Sequence, residues 1–224
     1  MKVTTGMKKL DGILSGGFPE NSTVLLSGGP GTGKTLVALR FLLEGARKGE
    51  KCCYVTLNET KDELLRACAP IASLSGIRGH LDKRIVIEHI PMSQSNVSMK
   101  RFVDIISRYP DIDRIVIDNV NKLLIFSESD KAFREYFVEL ISCLKKMKSS
   151  LLLCEIEDNE RLDSCGIEAF ECDGVVQILF LDLEEKPMRA IIVHKMRYTD
   201  FEPKVPHGLV INSKDVQVTD TKVI

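Results

Sequence analysis

The densest chemical signal in the chain is Gly28-Gly29-Pro30-Gly31-Thr32-Gly33-Lys34-Thr35. These residues fit G-x-x-x-x-G-K-[ST], a loop whose residue types suit a bound triphosphate. Without a Cβ, Gly28, Gly31 and Gly33 can reach φ > 0 and let the chain curl around an anion. Successive N–H groups, from Gly28 through Leu36, then face inward, and the following helix adds the positive end of its dipole. Lys34 is placed to reach the β- and γ-phosphates, and the Thr35 hydroxyl to hold a Mg²⁺. The bland alternative is a glycine turn between a strand and a helix. Thr23 to Leu26 before the loop and the apolar run Leu36 to Leu43 after it supply the strand and helix that the phosphate reading requires.

Further positions carry candidate chemistry. Ile115-Val116-Ile117-Asp118 is an apolar strand ending in an acid, which suits a carboxylate that orients Mg²⁺ or its water. An Asp that merely starts a turn is the competing reading. Hydrolysis also needs a group to orient or deprotonate water. Glu59, after Tyr54 to Leu57, is the best-placed carboxylate, although Asn58 and Thr60 read equally well as helix caps. Glu155 and Glu157 rank below it. Late in the chain, Lys195 and Arg197 stand at i and i+2, on one face of a strand. On spacing alone they read as a solvated face.

The elements that must position these residues alternate. Strands are predicted at Thr23–Leu26, Lys51–Leu57, Arg84–Ile90, Arg114–Asp118 and Ser150–Cys154. Helices are predicted after the glycine loop, at Lys61–Ala69, along Met99–Tyr109 and along Phe133–Leu144. A short helix at residues 5–14 precedes them, and 70–83 shows only weak periodicity. Gly174–Leu181 and Arg189–Met196 read as a terminal hairpin turning at Glu184–Pro187, with a last β stretch near Leu209–Ile211. The expectation is an α/β sandwich with a mostly parallel sheet and an antiparallel C-terminal hairpin, in one domain over residues 1–224. Ligands in such sheets sit beyond the carboxyl ends of the strands, where the loop, Asn58-Glu59 and Asp118 should converge.

Composition narrows the function classes. With 31 basic against 32 acidic residues, no overall field draws the protein to nucleic acid or to a membrane. The start, Met1 to Gly6, is not a hydrophobic signal segment and no run reaches transmembrane length, so a cytoplasmic protein is expected. The seven cysteines show neither C-x-x-C nor zinc spacing and receive no chemistry.

Taken together, these stretches resemble the KaiC-like branch of the RecA superfamily. The matching pieces are Thr5-Gly6-Met7-Lys8-Lys9-Leu10-Asp11, Gly16-Gly17-Phe18-Pro19, the glycine loop, Ile117-Asp118-Asn119-Val120, Gly166 to Phe170 and Lys195-Met196-Arg197-Tyr198-Thr199. The resemblance implies a RecA-like fold, ATP and Mg²⁺ as ligands, and a homo-oligomeric ring, usually a hexamer. It implies that Lys195 and Arg197 of one copy reach the phosphates held by the next, with Thr199 as a further nucleotide contact. The chain departs from the family at two places. Asn58-Glu59 stands where the family has Glu-Glu, and the first Glu is assigned to water activation. An amide can orient water but cannot take its proton, so slow turnover is expected unless Glu59 substitutes. Phe201 replaces a His that the family commonly carries. The working expectation is slow Mg·ATP hydrolysis at subunit interfaces, nucleotide state controlling assembly or binding of an unidentified protein partner. Its rivals are a non-hydrolysing nucleotide-binding scaffold and a DNA-handling recombinase paralogue using Ser93 to Arg101. The family's clock proteins carry two such domains in tandem, so a clock role is not implied.

Overall fold

A computed structural model of the chain describes residues 1–91, 99–125, 127–181 and 187–222. The chain opens with β1 (Lys2–Val3), α1 (Lys8–Ile13), β2 (Phe18–Pro19), β3 (Ser22–Gly28) and α2 (Lys34–Arg47). Next come β4 (Cys52–Thr56), α3 (Lys61–Cys68), a 3-10 turn at Ala72–Leu74, α4 (Ile77–His80), β5 (Ile85–His89) and α5 (Met99–Arg108). Then follow β6 (Arg114–Asp118), α6 (Lys122–Ile125), α7 (Asp130–Leu144), β7 (Ser149–Glu155) and α8 (Glu168–Glu171). The chain ends in β8 (Gly174–Leu181), β9 (Met188–Met196), β10 (Pro206–Ile211) and β11 (Val216–Lys222).

A nine-stranded sheet runs in the order β11-β10-β9-β8-β3-β7-β6-β4-β5. From β8 to β5 neighbouring strands are parallel, and β9, β10 and β11 continue antiparallel. Strands β3, β4 and β6 are buried at every residue, as expected of parallel strands covered on both faces. One face packs α2, through Val37, Leu39, Phe41 and Leu42; the other packs α7, through Phe133, Phe137 and Leu140.

The expected terminal hairpin is too small a description. β8 and β9 pair as foreseen, the β stretch expected near Leu209–Ile211 is β10, and β11 adds one strand beyond the expectation. β11 escapes the sequence reading because only Val216 and Val218 alternate inward before the polar Thr219. An edge strand is held by backbone pairing and needs little apolar surface. The loop expected at 91–97 and the turn at 184–187 lie almost wholly outside the described residues, as does most of Ser93 to Arg101.

The N-terminal motif is structural. Asp11 accepts hydrogen bonds from Thr5 N and Thr5 Oγ1, both at 2.7 Å, and from Thr4 Oγ1, tying α1 to the strand before it. Arg114, at the start of β6, ties this N-terminal segment to the sheet. Its buried guanidinium lies over the Phe41 ring and donates to Phe41 O at 3.0 Å, to Thr4 O at 2.7 Å and to Glu50. Burial pushes the Glu50 carboxyl up, but hydrogen bonds from Lys148 and Arg114 outweigh it and hold it below the ordinary carboxylate value. The stability this pair supplies is therefore complete above the unfolded-state value and drains away as pH falls through the folded one. Glu50→Gln should cost about 3 kcal/mol at neutral pH, by leaving a buried guanidinium without its counter-charge. Thermal unfolding from neutral to acid pH should show a shallower acid limb for the variant; parallel curves would remove the ion pair from the account.

Candidate functional site

The glycine loop joins β3 to α2 through a backbone that other residues cannot adopt. A Cβ on Gly28 would sit 2.3 Å from Ile178 O of β8, so the loop must leave the sheet at a glycine. Gly33 caps α2 at φ 103°, and its Cβ would lie 2.2 Å from Ile211 Cδ1. The loop between them is open to an anion, with the exposed Pro30 and Gly31 at its tip. Thr32 Oγ1 donates to Gly29 O at 2.9 Å, and Lys34 Nζ donates to Gly28 O at 2.8 Å and Gly29 O at 2.9 Å. Lys34 thus lies across the loop mouth. Burial lowers its pKa, while Glu155 and Asp118 oppose the shift.

Asp118 ends β6 with 4 % exposure, beside the start of α2. Its Oδ2 accepts from Tyr54 Oη at 2.7 Å and lies 3.4 Å from Thr35 Oγ1. Its Oδ1 accepts from Asn58 Nδ2 at 3.3 Å. Burial raises the Asp118 pKa, and Tyr54, Lys34 and Thr35 pull against it. The Thr35 hydroxyl and one Asp118 oxygen are hard oxygen donors side by side, a pair that suits Mg²⁺ with phosphate and water oxygens completing its shell. Among the described residues, no cluster of three His, Cys, Asp or Glu side chains could hold a metal alone. The residues therefore fit a nucleotide-borne Mg²⁺ and not an all-protein metal cage.

The remaining polar groups follow from sheet order. β7 stands between β3 and β6, so its last residue, Glu155, lies in register with Gly28. Sequence ranked Glu155 below Glu59, yet Glu155 is the foremost charge acting on Lys34. Asn119 Nδ2 reaches its Oε2 at 3.5 Å. A cavity of about 690 Å³ opens there, lined by Pro30, Asn121, Glu155, Glu157, Arg161 and Asp163. At the end of β4, Asn58 turns its amide nitrogen to Asp118 while its Oδ1 is buried without a hydrogen-bond partner. Glu59 is half-buried, and burial, then Asp118 and Glu63, raise its carboxyl pKa. Thr60 caps α3 in a reciprocal box with Glu63, so the cap reading holds for Thr60.

Three sequence candidates lie elsewhere. Lys195 and Arg197 sit at the amino end of β8 and β3, because Val175 pairs with Lys195 and Asp173 joins both Thr23 N and Arg197. The five-residue rise from Thr23 to Gly28 separates them from their own loop by about 16 Å. Lys195 Nζ donates to the carbonyls of Ala169, Phe170 and Cys172 at 2.9, 2.9 and 2.6 Å. Arg197 is the freer base, 45 % exposed with one 3.5 Å contact to Asp173. Thr199 Oγ1 donates to Leu14 O at 3.1 Å. Phe201, at the His position of the family pattern, packs against the core.

Tyr54 is the contact to Asp118 that sequence reading missed. A fully buried strand carries no polarity signal, and nothing near Tyr54 in the chain announces Asp118. The cysteines are all free, and burial pushes Cys52 and Cys53 up to about 12, away from thiolate chemistry. Among the described residues, no helix is long and apolar enough to cross a membrane.

Comparison with known proteins agrees with this geometry. A family model described as "ATPase: KaiC" matches residues 3–223. A UPF0273 protein of Methanopyrus kandleri is 27 % identical, covering 99 % of this chain and 93 % of its own. Circadian clock protein KaiC3 of Synechocystis is 25 % identical over 88 % of this chain but only 39 % of its own length. The crystal structure of a KaiC-like protein from the hyperthermophilic archaeon Pyrococcus horikoshii aligns with TM-score 0.84 and 29 % identity, covering 98 % of this chain and 99 % of that one. The sandwich described above is thus the RecA-like fold of that structure.

Proposed function

Since the chain belongs to the KaiC family of ATPases, we propose that it is a cytoplasmic protein that binds Mg·ATP at residues 28–36 and hydrolyses it slowly at interfaces between copies. Nucleotide state then controls assembly or the binding of a protein partner. One observation carries this reading. The glycine loop, Asp118 and Asn58-Glu59 meet at the carboxyl ends of β3, β6 and β4, while Arg197 lies at the other end of the sheet. From there Arg197 is out of reach of its own loop, which supports a contact with the site of another copy.

The residues divide the work as follows. Backbone N–H groups of the loop and the α2 terminus bind the phosphates, and Lys34 neutralises their outer oxygens. Thr35 and Asp118 would hold the Mg²⁺, which when bound supplies charge neutralisation at the phosphate oxygens. Asn58 could orient the attacking water only by turning its amide, since its Oδ1 is buried and its nitrogen is held by Asp118. Glu59, with its raised pKa, is the first candidate to take the proton, and Glu155 is the next. Arg197 of a neighbouring copy would offset charge at the γ-phosphate, with Lys195 and Thr199 in supporting contacts.

Asn58 also favours a second reading, a scaffold that binds nucleotide without turnover. Phosphate release from the wild type, lost in Lys34→Ala, separates the two. For assembly, sedimentation at matched concentration with and without Mg·ATP is expected to show a larger species with nucleotide. An unchanged monomer in both would sink the interface reading.

A further inference from the structure

We propose that Tyr54 is a positioning residue for the metal-facing carboxylate, its hydroxyl fixing Asp118 so that one oxygen stays beside the Thr35 hydroxyl. The inference rests on the Mg·ATP reading above. Tyr54 lies in register with Val116, two residues before Asp118 on the neighbouring strand β6. Residues two apart on a strand share a face and stand about 6.6 Å apart along it. A tyrosine side chain reaches about that far from its Cα to its oxygen, and here the oxygen meets Asp118.

Packing alone does not call for that oxygen. The side chain is 0 % exposed and belongs to the apolar cluster beneath α2. A phenylalanine would fill the same volume. The hydroxyl therefore adds only polar contacts, a 2.7 Å hydrogen bond to Asp118 Oδ2 and a weaker side-chain interaction with Thr35, both at the metal-facing pair. The other two contacts on this carboxylate, from Thr35 at 3.4 Å and Asn58 at 3.3 Å, are long. They also come from side chains that a bound metal or water would engage. Tyr54 alone approaches from the core, where no solvent or ligand competes, so its bond persists through the nucleotide cycle. A carboxylate anchored at one edge of Oδ2 keeps its remaining lone pairs turned to the loop.

Binding of a fluorescent ATP analogue, measured across a Mg²⁺ titration with the full chain, tests this without turnover. Tyr54→Phe is expected to raise the Mg²⁺ concentration at half-maximal binding about tenfold, the scale of one hydrogen bond to a charged group. Binding of the analogue in EDTA should be unchanged, which also shows that the variant is folded. In an Asp118→Ala background, Tyr54→Phe should add no further shift, because the carboxylate it positions is gone. An unaltered Mg²⁺ dependence would overturn the inference, as would a tenfold shift that persists without Asp118. A wild type whose binding ignores Mg²⁺ would overturn the Mg·ATP reading itself.

Discussion

Lys34→Ala and Arg197→Ala should each lose phosphate release by about a hundredfold or more, and a mixture of the two should recover about a quarter of wild-type turnover. The recovery follows from where the residues sit. Lys34 lies over the loop at the carboxyl end of β3, and Arg197 lies near Thr23 at its amino end, joined through Asp173. About 16 Å of strand cannot be bridged by one arginine side chain. If interfaces are heterologous, an Arg197→Ala copy still offers its loop and a Lys34→Ala copy still offers its arginine. Equal mixing makes about one interface in four intact. Phosphate release of the single variants and of the re-equilibrated mixture is the measurement. A mixture as inactive as either parent would return Arg197 to a solvated strand face. Lys195→Ala should have the smaller effect of the two bases, because its ammonium is already held by three carbonyls of its own chain.

Asn58→Glu is expected to raise steady-state phosphate release by about tenfold or more, within the range that a positioned general base supplies. The side chain at this position already reaches Asp118, its amide nitrogen 3.3 Å from Oδ1. A carboxylate there would accept a proton where the amide cannot. The neighbouring Asp118 charge would raise its pKa toward the working range, and the same repulsion should increase the Mg²⁺ requirement. Glu59→Gln in the wild-type background is the companion experiment. If Glu59 supplies the base, its loss abolishes release in the wild type but is tolerated once position 58 carries the acid. A fall in release for Asn58→Glu would mean that the amide's grip on Asp118 matters more than proton transfer, and Glu155→Gln would be tested next.

Much of this molecule could be read from local chemistry. Residues 28–35 state their own geometry, because a loop with glycines at 28, 31 and 33 needs only neighbouring residues to form its nest. Apolar runs at β3, β4, β6 and β7 declared a parallel sheet for the same reason, since burial on both faces leaves a mark in the run itself. Asp118 and Asn58 were visible as polar residues closing such runs. Contacts between distant segments left no such mark. That β7 separates β3 from β6, bringing Glu155 level with Gly28, depends on which strands pair across the sheet, and pairing carries no local signature in a fully buried strand. The Tyr54–Asp118 bond spans 64 residues and joins two strands that each look uniformly apolar. Asp11, prominent as a motif residue, serves to fasten α1, because the threonines it binds fold back over it. The residue types at the phosphate loop were the sequence's own determination; which carboxylates face it, and that Arg197 cannot, were settled only when the sheet set the strands' order and direction.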